Sequence, residues 1–127
     1  MKLAAIDIGS NSIKLAVIEA AANDSFAVLM REKEVVRLGH ETLANGRLSP
    51  EAIERAVNCI QRFRTTAEAR QADTIVAVAT ASVREARNSA QFIRQVEKRT
   101  GVRVEILSGV EEARLIGLAA SHGCAPR

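Results

Sequence analysis

Three short polar clusters in this sequence carry residue types suited to gripping and attacking an anion. The first is Asp7-Ile8-Gly9-Ser10-Asn11-Ser12. A tight turn rich in Gly and Ser lets backbone N–H groups converge on an anion, because no bulky side chain blocks the approach. Ser10, Asn11 and Ser12 add side-chain donors, and Asp7 could orient a metal-bound water. The same residue types also favour a plain turn, and composition alone does not separate the two readings. The second cluster is Thr80-Ala81-Ser82-Val83-Arg84, just beyond an apolar run. Arg84 could hold a phosphate in a bidentate fork, with the Thr80 and Ser82 hydroxyls nearby. On the residues alone, a solvated arginine at a helix start is the better reading. The third cluster is Ser108-Gly109-Val110-Glu111-Glu112-Ala113-Arg114. Acids in a first helical turn complement the helix dipole and need no catalytic role. The alternative makes one of them a general base for a water attacking phosphorus, which needs the fixed placement that a strand-to-helix corner supplies.

The elements that must position these clusters follow from pattern. Residues 3–8 and 13–19 are apolar runs separated by Gly9 to Ser12, which predicts a β-hairpin. A turn over 20–25, containing Asn23-Asp24, leads to a third strand over 26–36 with a charged middle facing water. Residues 37–48, with Gly39 and Gly46 and no sustained period, are predicted to form a loop. Ser49-Pro50-Glu51 marks a helix start, with Ser as cap, Pro in the first position and an acid in the first turn. Ile53, Ala56, Val57, Ile60, Phe63 and Ala67 follow at helical spacing. Residues 74–79 are a short β-branched run, hence a buried strand. Asn88 with Gln91 resembles a capping box for a helix that stops at Gly101. A strand over 102–107, a break at Ser108-Gly109 and a helix over 111–120 complete the pattern. The order β-β-β-α-β-α-β-α predicts an α/β fold with a mixed five-stranded sheet, its later strands parallel. Ligands in open α/β sheets gather at the carboxyl ends of strands. All three polar clusters fall there, and that agreement weighs more than any single motif.

Composition narrows the function classes. The 127 residues suffice for one domain with its own core, and 47% are hydrophobic and 26% charged, as in a soluble globular protein. Aromatics are only 2%, with no Trp or Tyr, so there is no platform for stacking single-stranded bases. The net charge of +3 is scattered rather than gathered in a run, which argues against nucleic acid as the partner. Cys59 and Cys124 match no metal spacing and read as reduced, structural thiols. His40 and His122 lack partners at ligand spacing, and Gly39 and Gly46 read as serving the backbone. With no signal peptide and no apolar stretch long enough for a bilayer, the expectation is a cytoplasmic protein without a membrane partner.

These segments together resemble the exopolyphosphatase and guanosine pentaphosphate phosphatase (Ppx/GppA) family. The resemblance rests on Ala5 to Ser12, Arg37-Leu38-Gly39, Leu48-Ser49-Pro50-Glu51-Ala52-Ile53, Thr80 to Ala86 with Asn88, and Ser108 to Ile116. The first segment is shared loosely across the sugar kinase, Hsp70 and actin superfamily; the last is far more specific. The resemblance implies an RNase H-like domain over 1–127, the first lobe of a two-lobed phosphohydrolase core. It implies that Gly9, Ser10, Asn11, Ser12 and Arg84 bind phosphate, that Glu112 activates the attacking water, and that Asp7 contributes to a Mg²⁺ site, through a water in one version. The substrates it implies are inorganic polyphosphate or pppGpp, with a homodimer open to the intact enzyme. The family's second phosphate loop belongs to a further C-terminal domain. Its absence here leads to the expectation that residues 1–127 alone have little hydrolase activity. Two other readings remain open: a stand-alone module that senses a phosphorylated nucleotide, and a lobe of a superfamily kinase. A water-activating Glu112 speaks against the kinase, which must keep water out of the attack position.

Overall fold

The computed structural model describes residues 1–21 and 25–107. Strands β1 (Lys2–Ile8) and β2 (Ser12–Ala20) form the predicted antiparallel hairpin, with Ile8 opposite Ile13 next to the turn. Strand β3 (Phe26–Val35) pairs antiparallel with β2 and completes the meander. Residues 22–24 of the predicted turn between them lie outside the described residues. Strands β4 (Thr74–Ala79) and β5 (Arg103–Ile106) add on the other side of β1, both parallel to it, giving the order β3-β2-β1-β4-β5. The mixed five-stranded sheet is the one predicted. Because β1, β4 and β5 run parallel, their carboxyl ends share one edge of the sheet.

Strand side chains alternate between faces, and here the two faces differ in chemistry. Ile6, Ile8, Ile13, Leu15, Val17, Ala77, Ala79 and Val104 are buried on one of them. Helix α2 (Pro50–Ala69) and helix α4 (Ser89–Thr100) cover that face with Ala56, Val57, Ile60, Phe63, Phe92 and Val96. The start of α2 is as predicted: the Ser49 hydroxyl accepts the Ala52 N–H at 3.1 Å, with Pro50 and Glu51 in the first turn. The end of α4 is also as predicted, at Gly101. Its φ of 74° is left-handed, a conformation that a side chain resists. Ala5, Asp7, Lys14, Arg31 and Lys33 project to the opposite face.

Two local expectations are corrected. Residues 37–48 are not all loop, since Leu38–Asn45 form a helix, α1. An isolated helix of eight residues is marginal, and this one depends on tertiary ties. Leu38 is fully buried, the Gly39 N–H donates to the Ser10 carbonyl at 2.7 Å, and the Gly46 carbonyl accepts from Arg87 N–H at 2.9 Å. Such ties leave no periodic trace in sequence. Asn88 does precede α4 but makes no capping bond with its side chain. Its amide instead brackets Leu48, accepting from the Leu48 N–H at 2.9 Å and donating to the Leu48 carbonyl at 2.8 Å. Long-range geometry outcompetes the local cap there. A single turn of helix, α3 (Ala81–Arg84), follows β4. The predicted break at Ser108-Gly109 and helix over 111–120 lie outside the described residues.

Candidate functional site

The carboxyl edge of β1, β4 and β5 is stitched together by hydrogen bonds from the predicted clusters. The Thr80 N–H and hydroxyl both donate to the Ile8 carbonyl, at 3.2 and 3.3 Å. The Leu107 N–H donates to the Ala79 carbonyl at 2.9 Å. Arg84 then closes the edge, its Nη1 donating to the Leu107 carbonyl at 2.6 Å. The first two clusters and the residue just before the third are thus joined within one network. Arg84 is half-buried and anchored at a strand end rather than waving in solvent.

The hairpin turn has a distinctive pattern of its own. Gly9 N–H donates to the Ser12 carbonyl at 3.0 Å, closing the turn. The carbonyls of the next two residues are drawn to the chain behind them. Ser10 O accepts from Gly39 N–H, and Asn11 O accepts from the N–H groups of Val36 and Arg37 at 3.0 and 2.9 Å. With both carbonyls tied back, Ser10 and Asn11 form the exposed tip of the turn. Among the described residues, neither Ser10 N–H nor Asn11 N–H donates to a backbone carbonyl. Ser10 and Asn11 are exposed, while Ser12 is buried at the start of β2. Backbone N–H groups without a backbone acceptor, with hydroxyls beside them, are groups that a phosphate can use.

Gly39 is the residue that sequence reasoning assigned to the backbone without finding its task. A Cβ built there would lie 2.8 Å from Ser10 Cβ and 3.2 Å from Ser10 Cα. The glycine lets α1 press directly against the turn. Its only signal in sequence was the Arg37-Leu38-Gly39 segment of the resemblance. Arg37 itself takes a positive φ of 56° and donates its N–H to the turn.

Asp7 lies at the last-but-one position of β1, with its Oδ1 buried. It sits opposite Lys14 of β2 on the face away from α2. Among the described residues no three His, Cys, Asp or Glu side chains are grouped to hold a metal. Asp7 would supply one carboxylate from the end of β1. That donor set fits Mg²⁺, which keeps several waters and takes one or two carboxylates together with substrate phosphates. Glu112 and the side chain of Ser82 lie outside the described residues, as do Cys124 and His122. Cys59 is buried, and desolvation, with the charge of Glu34 adding to it, pushes its thiol up to about 12. It takes no part in the site, in keeping with a structural thiol.

With this geometry in place, comparison with known proteins is decisive. A sequence model of the Ppx/GppA phosphatase family matches residues 16–127. The chain belongs to that family. Exopolyphosphatase 1 of Mycobacterium leprae (strain TN) is 34% identical over 119 residues, covering 94% of this chain and 35% of its own length. The crystal structure of the Aquifex aeolicus Ppx/GppA family member superposes with a TM-score of 0.88 at 26% identity, over 100% of this chain and 41% of that one. An exopolyphosphatase from Cytophaga hutchinsonii superposes with a TM-score of 0.84 at 27% identity, over 91% of this chain and 36% of that one. The chain thus spans about a third of the curated relative's length and about two fifths of the Aquifex aeolicus structure. The RNase H-like fold expected for the first lobe is the fold found.

Proposed function

We propose that this chain is the first lobe of a phosphohydrolase that releases the terminal phosphate of inorganic polyphosphate or of pppGpp. The observation that supports this best is the stitched edge, where the hairpin turn, Arg84 and the strand leading to Glu112 meet. Phosphoryl transfer asks a protein mainly for positioning and for neutralising charge on the phosphoryl oxygens. In this reading the turn from Gly9 to Ser12 holds one phosphate, through the N–H groups of Ser10 and Asn11 with the Ser10 and Ser12 hydroxyls. Arg84 pairs with phosphate oxygens, and its anchor on the Leu107 carbonyl keeps the guanidinium from rotating away. Glu112, five residues beyond Leu107, takes a proton from water as that water attacks phosphorus. Asp7 would help to hold a Mg²⁺ ion, directly or through water, and that ion would supply charge neutralisation when bound.

A lobe of this kind offers one wall of a cleft. The relatives' additional length suggests where the other wall resides, so residues 1–127 alone should bind phosphate weakly and turn over little or nothing. A phosphohydrolase and a kinase separate on one comparison with the full-length protein: phosphate release from polyphosphate and pppGpp against phosphoryl transfer from ATP to an acceptor. Release without transfer is expected. Transfer from ATP with no release from either polyanion would overturn the proposal, and binding without either reaction would favour a sensing module.

A further inference from the structure

Helix α1 lies between the two elements proposed to hold phosphate. At its amino end the Gly39 N–H donates to the Ser10 carbonyl of the β1–β2 turn at 2.7 Å. It also packs against α3, the single turn that carries Arg84. At its carboxyl end Arg87 takes hold of the chain. The Arg87 Nη2 donates to the carbonyl of Asn45, the last residue of α1, at 3.1 Å. The Arg87 N–H donates to the Gly46 carbonyl at 2.9 Å. Gly46 has a left-handed φ of 72°, and a Cβ built there would lie 3.4 Å from both Nε and Nη2 of Arg87. The guanidinium thus lies across the glycine that ends the helix. A cation in that place satisfies a terminal carbonyl and complements the negative end of the helix dipole.

Arg87 is also tied closely to Arg84, with only Glu85 and Ala86 between them. The Arg84 N–H donates to the Thr80 carbonyl at 3.0 Å, the Ala86 N–H to the Val83 carbonyl at 3.1 Å, and the Ser89 N–H to the Ala86 carbonyl at 3.2 Å. Val83 and Ala86 are buried, which fixes that stretch against the core. A helix of eight residues is marginal alone, so what grips its ends sets where α1 sits. It is a rod about 12 Å long, pinned to the turn at one end and to the Arg84 segment at the other.

We infer that Arg87 is a positioning residue: by capping α1 it fixes the distance between the β1–β2 turn and Arg84, and with it the placement of the phosphate that both hold. This rests on the reading of that edge as a phosphate site. Arg87 lies about one helix length from the turn and touches no substrate. Its effect falls on turnover rather than on binding. Either grip alone still attracts the anion, whereas attack needs the two in register.

The test is steady-state phosphate release from polyphosphate by the full-length protein, with kcat and KM resolved, at a temperature where circular dichroism shows every variant folded. Arg87→Gln should lower kcat about fivefold and leave KM within about twofold. Arg87→Lys keeps a donor for the Asn45 carbonyl and should recover most of that loss. Gly39→Ala disturbs the other end of the same rod. Sites about 10 Å apart ordinarily act independently, so their losses multiply. Here the double variant should turn over within about twofold of Gly39→Ala alone, because both substitutions displace one helix. Multiplied losses would overturn the inference, as would kcat within about twofold of the parent in folded Arg87→Gln. A raised KM with kcat intact would place Arg87 against the substrate and overturn it too, and so would a Lys variant no better than Gln. Parent-like turnover of Gly39→Ala would overturn it because the rod would then have no hold on the turn. Arg84→Gln separates the two levels. If it collapses release while Arg87→Gln does not, the positioning role alone fails. If Arg84→Gln changes nothing, the phosphate site fails and the positioning role with it.

Discussion

Gly39 lies behind the β1–β2 turn, touching neither substrate nor metal in the proposed mechanism, yet its replacement should damage turnover. In Gly39→Ala the new Cβ would meet Ser10 Cβ at 2.8 Å, where ordinary contact begins at 3.4 Å. The shortfall is 3.4 − 2.8 = 0.6 Å, and the nearest obstacles include Ser10 Cα and the Ser10 carbonyl, at 3.2 Å each. No side-chain rotation relieves a clash with backbone, so either the turn or α1 must move. Displacement by 0.6 Å along the contact would stretch the 2.7 Å bond from Gly39 N–H to Ser10 O toward the limit of a useful hydrogen bond. Overpacking of this kind costs about 1–3 kcal/mol, and replacing glycine by alanine inside a helix returns about 1 kcal/mol. The net loss of stability is therefore about 0–2 kcal/mol, a melting shift of at most roughly 10 °C for a chain of this size. Turnover is more sensitive, since a misplacement near 1 Å can cost about 100-fold. Phosphate release by the full-length variant should fall roughly 10- to 100-fold while it remains folded. Parent-like turnover in a folded Gly39→Ala protein would refute the idea that α1 sets the position of the turn.

Other predictions concern what holds the frame. Asn88→Ala removes both bonds to Leu48, each worth about 1–1.5 kcal/mol, so the variant should lose about 2–3 kcal/mol in denaturant unfolding. Ser49→Ala should cost about 1 kcal/mol by the same measurement, through the lost N-cap of α2. Cys59 should resist alkylation at pH 8 in the native protein and react only after unfolding, because burial holds the thiol protonated; mass spectrometry of iodoacetamide-treated protein would show it. Glu54 is held below its ordinary value of 4.5 by the hydrogen bond from Arg99. A lowered carboxylate value stabilises the folded state above the unfolded value and loses that effect as pH falls through the folded one. Glu54→Gln should therefore lower the melting temperature slightly at pH 7, with the difference vanishing well below pH 4.5.

The sheet was legible because its strands obey local rules. Ile6, Ile8, Ile13 and Leu15 bury one face by strict alternation around a turn of Gly, Ser and Asn. Helix α2 announced itself through Ser49, Pro50 and a clean apolar stripe. Helix α1 was not legible, since it is held by the Ser10 carbonyl, the burial of Leu38 and the Arg87 N–H, all distant in sequence. The Asn88 amide was misread for the same reason: a capping pattern and a bracket on Leu48, 40 residues away, use the same side chain. At the site, the candidate clusters were legible as residue types placed after strands. What sequence could not give was their connection, the Thr80–Ile8 and Arg84–Leu107 bonds, nor the way Val36, Arg37 and Gly39 turn the loop's carbonyls inward. Those depend on which strands become neighbours, a property of the whole fold.

In the proposed mechanism water attacks a phosphate held at this edge, with Glu112 as its base. That mechanism is tested most directly by Glu112→Gln in the full-length protein, comparing turnover of polyphosphate with equilibrium binding of the same chain. Glutamine keeps the shape but cannot take the proton, so turnover should collapse by about 100-fold or more while binding stays largely intact. Near-normal turnover would remove Glu112 from that role and contradict the mechanism.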